Sequence, residues 1–67
     1  MLHLHQPVIL QQDMPEHNLK AGMEGWVIDV LDGNGKDYEV EFSDKSGNTI
    51  YIGPIPAKAI KPKPKSN

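Results

Sequence analysis

Between Asp37 and Ser43 the side chains alternate without exception, with Tyr38, Val40 and Phe42 on one parity and Asp37, Glu39, Glu41 and Ser43 on the other. Successive side chains of an extended chain point to opposite faces, so only a β-strand lets this segment bury one face and wet the other. The flanking segments carry related signals between turn residues. Gly25 to Leu31 is β-branched and aromatic and runs into Asp32-Gly-Asn-Gly35, whose Asp-Gly and Asn-Gly pairs supply the positive φ angles of a hairpin. Asp44-Lys-Ser-Gly47 predicts a second turn, after which Thr49 to Ile52 reads as a strand stopped by Gly53-Pro-Ile-Pro56. Val8 to Leu10 reads as a first strand that starts near His5, with Pro7 at its beginning because proline cannot donate to a ladder. Gln11 to Gly22 has no strand pattern and reads as a long loop. Ala57 to Ile60 has room for one helical turn and a last half-strand.

Apolar runs separated by turn residues every 8 to 12 positions or so, without helical periodicity, indicate an all-β chain. Five short strands, a long loop after the first and two tight hairpins predict a small SH3-like five-stranded barrel over residues 1–60, whose closure removes exposed edges. Residues 61–67, with Lys61, Lys63, Lys65 and no large apolar side chain, are expected to form a flexible basic Lys/Pro tail. The 67 residues suffice for one domain, which buries only about 60% of the surface of its unfolded chain. Without cysteine, neither a disulfide nor a thiolate metal site contributes to its stability. The N-terminus has no Lys or Arg ahead of its apolar part and no run near the roughly 20 apolar residues of a spanning helix. A cytoplasmic protein without a membrane partner is expected.

The net charge of −2 hides an uneven distribution: residues 1–57 hold three lysines against nine acids, a net −6, and the last ten residues hold four lysines. An acidic body without arginine disfavours the phosphate contacts that dominate nucleic-acid affinity and suits a basic protein partner. Asp37, Glu39 and Glu41 project from one strand face about 7 Å apart, and Glu24, Asp29 and Asp32 belong on or near the adjoining strand. Paired carboxylates do acid and base chemistry only in a pocket that separates their pKa values, which an exposed strand face does not provide. With no nucleophile beside a base, the chain is not expected to be an enzyme. Trp26 shares its parity with Ile28 and Val30, whereas Val27 shares the other with Asp29 and Leu31, so the inward face is open. The tendency of Trp to bury its ring slightly favours an inward Trp26. If Val27 is inside instead, Trp26 is displayed beside the acids as an interface anchor. Tyr51 lies on the outward parity of the fourth strand if Ile50 and Ile52 face in. Trp26, Asp37, Glu39, Glu41 and Tyr51 are therefore the candidate partner-binding residues, and an exposed aromatic would also let two copies pair. His3, His5 and His17 would meet at a metal only if the long loop folded back, and loose terminal histidines are far commoner than sites, so no metal or cofactor is expected. The glycines match no phosphate loop.

Asp13-Met-Pro-Glu-His-Asn-Leu-Lys-Ala-Gly22, Gly25-Trp-Val27, Tyr38-Glu-Val-Glu-Phe42 and Gly47-Asn-Thr49 together resemble a bacterial family of domains of unknown function, common in cyanobacteria, with the pattern D-x-P-E-x-x-L-x-x-G-x-x-G-x-V, then Y-E-V-E-F, then G. The resemblance covers roughly residues 5 to 60. It implies an SH3-like barrel without catalytic residues and, through the association of such proteins with small toxin-like neighbours, an antitoxin or immunity role. One position departs from it: Trp26 stands where the family has a small or β-branched residue. The expected function is that of a non-enzymatic protein-binding module that covers a basic surface, such as that of a small toxin. A nucleic-acid-binding SH3-like module and an accessory subunit of a larger enzyme complex are the alternatives.

Overall fold

The computed structural model describes residues 2–31, 33 and 35–64. Its strands are β1 (Pro7–Leu10), β2 (Glu24–Leu31), β3 (Asp37–Ser43), β4 (Thr49–Pro56) and β5 (Ile60–Pro62), with 3-10 turns at Pro15–His17 and Ala57–Ala59. All five strands form one antiparallel sheet in the order β4-β3-β2-β1-β5. Two hairpins set β2, β3 and β4 side by side, the long loop returns the chain so that β1 pairs with β2, and β5 completes the other side of β1. No ladder joins β4 to β5, so the hydrogen-bonded sheet is open between its two edge strands.

The alternation in β3 is reproduced in its burial: Tyr38, Val40 and Phe42 are inside and Asp37, Glu39, Glu41 and Ser43 are half-exposed. Around them one core gathers Val8 and Leu10 from β1, Val27 from β2, Ile55 from β4, Ala59 from the last 3-10 turn and Ile60 from β5. Burying the Tyr38 ring requires a partner for its hydroxyl, which accepts a 2.9 Å bond from the Leu2 amide.

Gln11 to Gly22 is not a featureless loop. Met14 and Leu19 bridge one another and bury their side chains in the core, with the 3-10 turn between them closed by Asn18 at φ 62°. The Asp13 carboxylate accepts the Ala21 amide at 2.9 Å, and the Gly22 amide donates to the Leu10 carbonyl at 2.8 Å. These bonds return the chain to the sheet.

Two expected boundaries move. Gly53-Pro-Ile-Pro56 does not stop the fourth strand, because β4 lies at the sheet edge. There a proline can occupy a position whose missing N–H would have faced away from the ladder. Pro54 opposite Glu39 and Pro56 opposite Asp37 alternate with a fully buried Ile55. The edge they form offers few donors to an added strand. At the C-terminus, β5 continues through Lys61 and Pro62, and the Lys63 amide donates to the Pro7 carbonyl at 3.0 Å. The segment expected to be tail from residue 61 thus begins inside the sheet. Lys65, like Asp32 of the patch and Asn34 of the first turn, lies outside the described residues.

Candidate partner-binding face

Whether Trp26 or Val27 faces inward is settled by a bulge. Val27 pairs with Val40, but the next rung joins Asp29 to Glu39, leaving Ile28 as an extra residue. One inserted residue reverses the parity of everything after it. Before the bulge Val27 is inside and Trp26 outside; after it Val30 packs on the core opposite Tyr38, while Asp29 and Leu31 share the outer face with Trp26. The slight preference for a buried Trp26 is therefore corrected: its ring is displayed, 37% exposed. The physical reason lies in its neighbour. Gly25 occupies the inward position before it, and a Cβ there would stand 2.5 Å from the Glu41 carbonyl oxygen and 2.8 Å from the Phe42 ring.

A second bulge reverses β4. Ser43 pairs with Thr49 and Phe42 with Tyr51, so Ile50 is the extra residue. The expected outward Tyr51 is thereby overturned. Its ring packs against the core rim, lies over Gly53 and stacks on the His17 imidazole with centroids 4.1 Å apart. Ile52, expected inside, takes the outer face opposite Glu41 and is 49% exposed.

The outer face can be followed across the strands. One row reads Pro7, Trp26, Glu41, Ile52, the next Asp29, Glu39, Pro54, and the next Leu31, Asp37, Pro56. Of the five candidate residues, the structure brings Trp26, Asp37, Glu39 and Glu41 onto this face and sends Tyr51 to the opposite side. Ile52 and Asp29 join them; Ile52 was hidden in the sequence because no residue type announces a bulge. Asp29 and Glu39 stand directly opposite, a like-charge arrangement that is unfavourable in a sheet. The Glu41 carboxylate accepts the Thr49 hydroxyl at 2.8 Å, which fixes one acid beside Trp26 and Ile52.

At one end of the face the turn after β3 is organised by Asp44. Its carboxylate accepts the Asn48 and Ser46 amides, each at 2.9 Å. These bonds to the charged form, the Asn48 amide first, hold its pKa below the usual carboxylate range; desolvation opposes them and outweighs the Ser46 amide alone, but not the bonds together. His17 is engaged with Tyr51, and among the described residues no group of three histidines or acids is placed to hold a metal ion. Nor is any described helix long and apolar enough to cross a membrane.

A family model described as Domain of unknown function (DUF4926) matches residues 4–62, a span that contains all five strands. The chain belongs to the DUF4926 family. No curated protein and no solved structure matches it. In this DUF4926 domain, most residues that carry the resemblance read from the sequence perform structural tasks. Asp13 caps the loop, Leu19, Val27, Tyr38, Val40 and Phe42 fill the core, and Gly22 and Gly47 adopt φ of 95° and 87°. Glu39 and Glu41 instead face outward beside Trp26.

Proposed function

We propose that this DUF4926 domain is a non-enzymatic protein-binding module, an SH3-like barrel in overall type, whose outer face receives a basic surface of a protein partner. The observation that carries the proposal is the composition of that face, where exposed Trp26 and Ile52 are set among Glu41, Glu39 and Asp29. Exposed aromatic and aliphatic anchors provide the desolvated centre of an interface, and surrounding charge steers the encounter and selects the partner's sign. The Asp29–Glu39 pair adds to this, since a cation placed between two facing carboxylates relieves a repulsion present in the free domain. An open sheet face without an enclosing cleft favours binding over catalysis. A small basic toxin, held in the manner of an antitoxin, is the partner the family resemblance implies.

The test is affinity capture from native extract with the full chain, Trp26→Ala and Glu39→Lys, at low and high salt. The expected result is a basic protein that the full chain retains at low salt, that high salt releases, and that both variants fail to hold. Equal retention by all three chains would show that the outer face is not the interface.

A further inference from the structure

We propose that the groove beside Trp26 is a subsite for a lysine or arginine side chain of a basic protein segment, and that the chain's own Lys63 occupies it in the free molecule. The proposal rests on the outer-face reading above and deepens it by naming the group recognised. The bond from the Lys63 amide to Pro7 extends the β1–β5 ladder by one rung and places Lys63 in the row of Pro7, Trp26, Glu41 and Ile52. From there its Nζ reaches Glu24 Oε1 at 2.7 Å. Pro7, Glu24, Trp26, Ser43, Asp44 and Lys63 line one groove of about 440 Å³. Glu24 and Asp44 together carry two negative charges, so the groove stays anionic even with Lys63 in it.

The bond is built to be exchanged. Both partners are substantially exposed, 41% for the Lys63 side chain and 58% for that of Glu24, and ion pairs in water are weak. The backbone rung nevertheless keeps Lys63 at the groove, so an incoming cation has a tethered competitor. Beyond Glu24, Ser43 and Asp44 the groove continues into a second of about 570 Å³, where Met23 and Ile50 present apolar surface and Lys45 balances one of the two carboxylates, so the cation's place is in the first groove and the apolar residue's in the second. A basic residue close to an apolar one in an extended segment matches both parts.

The experiment titrates a dye-labelled oligolysine peptide carrying one leucine, at an ionic strength of about 0.02 M where exposed charges are little screened. It uses the full chain, Lys63→Gln, a chain ending at Pro62, Lys63→Gln with Glu24→Gln, Glu39→Lys, and Lys20→Gln as a charge-matched control. Lys63→Gln and the shortened chain are expected to bind about threefold to fivefold more tightly than the full chain, the ceiling set by one exposed ion pair. Lys20→Gln should bind like the full chain, and adding Glu24→Gln should cancel the gain. If Lys63→Gln gains no more than Lys20→Gln while Glu39→Lys still weakens binding, the subsite is overturned and the outer-face reading stands. If no chain binds the peptide, both fall.

Discussion

Gly25 and Trp26 are adjacent and have opposite duties. Adding a methyl at Gly25 drives it into the Glu41 carbonyl and the Phe42 ring, and two strand backbones would have to shift. Gly25→Ala is expected to destabilise the domain by about 1–3 kcal/mol, read as a lower urea midpoint at unchanged slope. Trp26→Ala removes a ring that already faces water, so its loss of stability should be below about 1 kcal/mol while partner capture disappears. A large drop in urea midpoint for Trp26→Ala would show that the ring supports the fold. Glu39→Lys separates stability from binding in the other direction. It replaces the repulsion with Asp29 by an attraction, so the free domain should gain about 0.2–1 kcal/mol even as a basic partner is rejected.

At the scale of elements, the turn after β3 and the loop after β1 respond to different tests. Because the amides of Asn48 and Ser46 favour ionised Asp44, its folded pKa lies below its unfolded one. Its stabilising effect is therefore complete above the ordinary carboxylate pKa and is lost as pH falls through the lowered folded value. Urea midpoints of the full chain and Asp44→Asn should differ most near neutral pH and converge in strong acid; a constant gap at all pH would mean that charge plays no part. The loop depends on burial instead. Leu19 is 1% exposed, so Leu19→Ala should destabilise by roughly 2–5 kcal/mol, a large share of what so small a domain has. Tritium or deuterium exchange should show the amides of Ala21 and Gly22 losing protection first.

For the whole molecule, the last strand to be made pairs with the first. β5 supplies Ile60 to the core, follows Ala59 and covers one side of β1, so a chain ending at Pro56 should lose its cooperative unfolding transition. A chain ending at Pro62 keeps all five strands and loses only the Lys63–Pro7 rung, so it should unfold nearly like the full chain. Closing β1 onto β5 links residues about fifty positions apart, and a sheet built from such distant pairings is expected to fold in milliseconds or slower by stopped-flow fluorescence of Trp26.

Local chemistry wrote much of this protein into its sequence. The alternation of β3, the Asp-Gly and Asn-Gly turn and the Asp44 to Gly47 turn act between neighbours in the chain, so the all-β class, β3 from Asp37 to Ser43 and the outward Asp37, Glu39 and Glu41 were legible. The family resemblance was legible too, because it lies mostly in residues with local or core duties. What the sequence could not show depends on partners far along the chain. The burial of Met14 and Leu19 requires a core that other strands supply. The passage of β4 through Pro54 and Pro56 requires knowing that it is an edge. Above all, the outer face depends on two bulges: the one at Ile28 puts Asp29 and Leu31 on the face of Trp26 and Val30 on the core, and the one at Ile50 turns Ile52 outward and Tyr51 inward. A period-two pattern assigns faces only while the register is unbroken, and register is decided by how strands meet, not by the residues of either strand alone.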